Sequence, residues 1–310
     1  MEGVTEKKFL LIRSTVRGLY DMQNLRISIG NRVVANFRSK LGLEIGEKDD
    51  AKKKKLIKKV VGDYELLTEG LANLPTPSRF KPGEIIDDYT ELVLVHHFVL
   101  LRRQEQSAMS RLPYVLDPVS IFHWLIEQPG VGPQMAGVII SEINIEKATN
   151  PSSMWKYCGL DVHEDGTARS RRKEHQVERE YVDRHGEVKK KMGLSYKPWL
   201  KAKLLKVLGA SLLRATGKNR SKPHKYSEIY DNYRHRLENH PKHKDKTDGH
   251  KHAMANRYMV KEFMKDLYVA WRQIEGLPVS EEYSVAKLGI VHSKKSKSVK
   301  KGKPHDQAPL

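Results

Sequence analysis

The chain has a single cysteine, Cys158, in 310 residues, which excludes an intramolecular disulfide and any cysteine-rich metal site. Long apolar runs are missing too. No stretch approaches the roughly 18 residues a membrane helix needs, and the longest is interrupted by His96 and His97. The opening segment MEGVTEKKFLLIRSTV has too short an apolar part and the wrong flanks for a signal peptide, so the expected location is the cytoplasm. Aromatic residues make up 7%, and acidic residues are outnumbered, 38 against 57 Lys and Arg.

Positive charge is what the sequence has in excess. The net charge is +19, and between Arg169 and Lys225 there are 18 Lys and Arg against 5 Asp and Glu. Two further basic blocks run from Lys52 to Lys59 and from Lys287 to Lys303. A scattered excess only keeps a protein in solution, whereas a contiguous block is the footprint of phosphate contacts. Nucleic acid is the expected partner.

The hydrophobic pattern predicts a mainly α protein with little β. Residues 9–41 carry Ile12, Val16, Leu19, Ile27, Val34, Phe37 and Leu41 near helical spacing, Lys53 to Asn73 continue the pattern, and 84–110 read as a long helix. The proline-rich segment 74–83 reads as a linker. Together 1–117 form a helical, coiled-coil-like stalk, 118–280 a helical nucleic-acid-binding domain, and 281–310 a basic disordered tail. Asp117-Pro118 reads as the start of a new helix, with Asp117 as its cap. Further on, Leu200, Leu204, Leu205, Leu208, Leu212 and Ala215 form one helix face, while Ala253, Val260, Leu267 and Ile274 recur every seven residues.

Residues 125–136, LIEQPGVGPQMA, read as helix, tight turn, helix. Gly130 and Gly132 can adopt positive φ, and Pro133 opens a helix whose free N–H groups favour phosphate. Helix-hairpin-helix modules hold nucleic-acid backbones this way, although an ordinary α–α turn uses glycine equally well. PGVGPQMAGVIISEI followed by NPSSMWKYCGLDVHEDGTARSRRK resembles the C-terminal domain of DEDD-type insertion-sequence transposases guided by a bridge RNA. Within it, Trp155 to Leu160 matches the central Ala-x-x-Leu-Gly-Leu segment of that family. The same context is similar to the Nop domain of box C/D ribonucleoproteins and to the Tas proteins of tandem-guide RNA systems.

The resemblance implies a homodimer formed through the stalk that holds a structured guide RNA and presents it to target DNA. On that reading Gly130, Val131 and Gly132 offer backbone donors, Lys156, Arg169, Arg171, Arg172 and Lys173 clamp phosphates, and Lys197, Lys201 and Lys203 extend the track. No separate cofactor is implied. Two departures bear on chemistry. Residues 1–80 show no β-strand run carrying an aspartate, as the family's RuvC-like nuclease domain requires, and the family's nucleophilic serine position holds Asp165. Enzyme activity is therefore not expected, unless Ser170 replaces that serine in a recombinase, the alternative function. A DNA-coating protein without RNA is a third possibility.

The remaining candidates have blander readings. His235, His240, His243, His250 and His252 match no zinc-finger spacing and are interleaved with lysines. Asp161, Glu164 and Asp165 read as an acidic turn that holds adjacent arginines. Tyr181, Tyr196, Trp199, Tyr226, Tyr230 and Tyr233 suit either base stacking or a helical core.

Overall fold

The computed structural model describes residues 6–42, 51–52, 55–59, 62, 74–83, 86–164, 166–216 and 222–280. The chain is mainly α, and among the described residues there is one two-stranded antiparallel sheet. Helix α1 (Glu6–Lys40) lies antiparallel to α2 (Tyr89–Leu116). Gln23 and Arg26 on α1 meet Glu105 of α2, and Asn36 and Lys40 meet Glu91 in the first turn of α2. Val33, Phe37, Val95 and Val99 fill the far end of this pair together with Ile57. Of the expected stripe on α1, Ile27 and Val34 face outward, because the second helix covers a narrower arc than the apolar positions span.

Three helix boundaries differ from expectation. The second long helix begins at Tyr89, where the Asp88 carboxylate accepts the N–H of Thr90 (2.6 Å). It then continues through Pro113 to Leu116. Asp117 does not cap a new helix. Its φ and ψ are helical and its N–H bonds to the Pro113 carbonyl, so it closes α2. Helix α3 (Ser120–Glu127) instead starts behind Val119, whose side chain is buried. In the linker, Pro77–Arg79 form a 3₁₀ turn, and Leu74 and Phe80 pack on the far-end core. Much of the expected helix between Lys53 and Asn73 lies outside the described residues, as does the basic tail.

The main core joins the near ends of α1 and α2 to everything that follows. Ile12, Val16, Leu19, Leu112 and Leu116 share one buried cluster with α3, α4 (Pro133–Glu142), α5 (Pro151–Cys158) and the C-terminal helices. Strands β1 (Gln176–Val182) and β2 (Val188–Leu194) form a hairpin. After it come α6 (Pro198–Ala202), a π-helical stretch at Lys203–Leu208 and α7 (Gly209–Arg214). The π stretch has a sequence cause. Leu200, Leu204, Leu208 and Leu212 are spaced by four, which drifts about 40° per step on a 3.6-residue helix, and widening the turn keeps all four in the core. The Asn256 side chain donates to the Leu205 carbonyl (2.8 Å), satisfying an acceptor within the widened turn.

Helix α8 (Lys225–Asn239) and α9 (Asp248–Ile274) pack as a pair. The buried face of α9 runs Ala255, Met259, Val260, Phe263, Met264, Leu267, Tyr268 and Trp271. The seven-residue repeat fails at its ends, where Ala253 and Ile274 are exposed.

Candidate nucleic-acid interface

The turn between α3 and α4 divides its residues sharply. Gly130 takes a left-handed conformation (φ 78°), and a Cβ there would stand 2.5 Å from the Ser211 carbonyl of α7. Gly132 does not adopt positive φ. It is extended (φ −99°, ψ 172°), serves as the N-cap of α4, and a Cβ on it would meet nothing within 4 Å. Val131 between them is buried, its N–H bonded to the Gln128 carbonyl. Pro133 opens α4 as the sequence predicts.

Helix α5 is fixed at both ends. Asn150 and Ser153 exchange side-chain bonds with each other's N–H groups as a capping box. At the other end Gly159 (φ 67°) lets Leu160 turn back, its N–H on the Trp155 carbonyl and its side chain in the core. A Cβ on Gly159 would strike the Tyr196 ring, so no side chain fits there. Lys156 projects from this helix into solvent.

The loop that follows is held from several sides. Arg169 Nε donates to Asp161 Oδ2 (2.8 Å), so this acidic turn does hold an arginine, and Lys201 Nζ donates to the Arg169 carbonyl. Burial pushes the Lys201 ammonium down to about 8, with help from the nearby Arg257. Asp161 Oδ1 and Arg257 Nε are both buried without a hydrogen-bond partner. Ser170 N–H donates to Nδ1 of the buried His175 (2.8 Å), and Ser170 Oγ lies 3.0 Å from the same nitrogen. Since the amide can only donate, that nitrogen accepts, and the hydroxyl beside it shares the same lone pair. The Arg172 N–H donates to Ser170 Oγ (3.3 Å), and the His175 ring stacks on His163 at 4.2 Å. Arg171, Arg172 and Lys173 stand exposed on the rim of this fixed loop. Asp165 lies outside the described residues.

The hairpin went unforeseen. Asp183 shapes its turn: Oδ1 accepts the N–H groups of His185 and Glu187, and Gly186 supplies positive φ (83°). The Asp-x-x-Gly tetrad was the local signal for it. Register pairs Arg179 with Lys191 and Tyr181 with Lys189, putting Val177, Arg179, Tyr181, Lys189 and Lys191 on one face. Lys191 Nζ sits 4.3 Å from the Tyr181 ring centre.

Lys197 and Lys203 belong to a different neighbourhood from Lys201. They face α1, near Arg13, Arg17 and Tyr20, residues the sequence reading assigned only to a stalk. Of the candidate aromatics, Tyr196, Tyr226 and Tyr230 are buried, Tyr233 stacks on Tyr258 (4.4 Å), and Tyr181 is exposed. Among the described residues, no three His, Cys, Asp or Glu side chains converge as a metal site requires, and no helix is long and apolar enough to cross a membrane.

No curated protein and no solved structure gives a significant match to the chain. A family model described as Transposase IS116/IS110/IS902 family matches residues 123–184. The segment from α3 through the α5 cap and the Ser170 loop to the hairpin turn is therefore related to the transposases of these insertion sequences.

Proposed function

We propose that the chain is a transposase-related nucleic-acid-binding protein that holds a structured guide RNA and brings it to DNA. The observation that carries the nucleic-acid part is the exposed run Arg171, Arg172, Lys173 on a loop whose backbone is already fixed by Ser170, His175, Asp161 and Lys201. Cations on an ordered loop bind phosphate at a small entropy cost. Lys156 adds to this rim, and the open N-terminus of α4 at Gly132 adds backbone donors. The RNA guide comes from the resemblance to bridge-RNA transposases and Nop-domain proteins, in which base pairing rather than side chains selects the target. Exposed Leu25, Ile27 and Val34 on α1 support dimerisation through the long helix pair.

Purification at moderate salt followed by sequencing of the bound nucleic acid tests the guide. One discrete small RNA, reproduced between preparations, is the expected result, and random fragments or none overturns it. Replacing Arg171 and Arg172 by Gln should weaken binding to all sequences alike and flatten its dependence on salt.

A second reading is favoured by the Ser170–His175 pair. In it the Ser170 N–H turns away from His175 Nδ1, Ser170 Oγ gives its proton to that nitrogen and attacks a backbone phosphorus, and a phosphoserine ester forms as the leaving sugar oxygen takes the proton from His175. The enzyme would then form a covalent protein–DNA link that Ser170→Ala abolishes. Absence of any such link in the native sequence, with guide RNA and target DNA present, would eliminate this reading.

A further inference from the structure

A second basic centre lies where α1 meets the end of α4 and the start of α6. Glu142, the last residue of α4, has a side chain with 0% exposure. Its carboxylate accepts Arg17 through Nε (2.9 Å) and Nη2 (2.6 Å) and Arg13 through Nη2 (3.2 Å), with Lys197 Nζ at 3.8 Å. The Arg17 guanidinium also lies over the Trp199 ring at 3.8 Å, and Trp199 meets the Tyr20 ring edge-on. Lys203 Nζ sits 3.5 Å from the centre of that Tyr20 ring.

Three cations, Arg13, Arg17 and Lys197, thus surround one carboxylate whose acceptors are already engaged, and a fourth, Lys203, lies beside them on the Tyr20 ring. Docking α1 onto α4 needs Glu142 and one arginine, and each further cation adds repulsion unless an anion offsets it. Burial, then Arg13 and Arg17, hold the Lys197 ammonium below its usual range, and Arg179 of the hairpin acts in the same direction. Burial and Arg17 do the same to Lys203. The cations still reach solvent: the side chains of Arg13, Arg17 and Lys197 are 34, 38 and 40% exposed. Arg13 keeps guanidinium donors beyond the one given to Glu142, and a cation held on an aromatic face retains its charge for a ligand. Glu142 and the rings fix the positions of all four groups before any ligand arrives.

We propose that Arg13, Arg17, Lys197 and Lys203 form a seat for the backbone phosphates of a bound nucleic-acid strand, so that α1 belongs to the nucleic-acid surface. The seat deepens the nucleic-acid reading above and rests on it. Lys197 and Lys203 are the residues to change, since Arg13 and Arg17 must stay to cover Glu142. Lys197→Gln and Lys203→Gln, singly and together, are compared with Arg171→Gln/Arg172→Gln by titrating full-length protein with duplex DNA and with structured RNA over a range of salt. Each lysine change should reduce the slope of log K against log salt by about one, and the pair should weaken binding about tenfold or more at moderate salt. Which ligand shows the loss identifies the strand that occupies the seat. Chemical acetylation of the unaltered protein reads the same surface without substitutions, with Lys197 expected to be protected when nucleic acid is bound. Unchanged slopes in the lysine variants, or undiminished acetylation of Lys197, with a clear effect of the Arg171/Arg172 variant, would overturn the seat alone. An unaltered protein that binds neither DNA nor RNA would overturn both readings.

Discussion

Two glycines in one turn have opposite requirements. Gly130 has positive φ and no space for a methyl group against Ser211, so Gly130→Ala should cost about 2–4 kcal/mol from backbone strain and displaced helix packing. Gly132→Ala, at negative φ and facing open space, should cost only the loss of a preferred N-cap residue, about 1 kcal/mol or less. Denaturant unfolding of both variants checks the contrast. Lys201 gives a pH test. Its folded ammonium titrates near 8 while the unfolded one titrates near 10.5, so between those values the unfolded chain holds the extra proton. Stability should therefore gain a rising contribution from pH 8 to 10.5, and Lys201→Met should remove it in melting curves taken across that range. Burial pushes the Cys158 thiol far above its ordinary value, so a thiol reagent should leave it unmodified until the chain unfolds.

At the scale of elements, periodicity was most informative where one face of a helix is buried against a continuous core. The leucine row from Leu200 to Leu212 was legible for that reason, although the π stretch that keeps it straight was not. Spacing shows which residues share a face, but not how the backbone adjusts to hold them there. The hairpin was missed because neither face is buried. Val182, Val188 and Met192 are 66, 67 and 60% exposed, so apolar–polar alternation never had to be strict. This predicts that replacing residues 177–193 by a short flexible loop will leave helical circular dichroism and the melting midpoint within a few degrees of the original. A large loss of stability would mean that the hairpin packs on the helices. Asp183→Ala should loosen the arm alone, seen as faster amide exchange along β1 and β2 with unchanged exchange in α9.

At the scale of the whole molecule, a net charge of +19 resists compaction, and counter-anions should relieve it. Polyanion binding should raise the melting temperature, and salt should abolish the gain as it weakens phosphate contacts. Equilibrium sedimentation tests association through α1. Charged substitutions at Leu25 and Val34 should shift a dimer to monomer, and a monomeric unaltered protein would remove the dimer from the proposal.

The sequence alone determined the mainly α class, the excess of cations, the Gly130 turn and the Pro133 helix start. Each is set by composition or by neighbours within a turn or two. It also marked the candidate clamp residues as cationic. Where they stand depends on the packed fold: Arg171, Arg172 and Lys173 face solvent, Lys201 turns inward to a carbonyl, and Lys203 lies on Tyr20. Glu142 illustrates the reason. Arg13 and Arg17, its partners, are 129 and 125 residues away, so no local pattern links them. Burial of that carboxylate between α1, α4 and α6 makes the pairing obligatory, because an unpaired charge there would cost several kcal/mol.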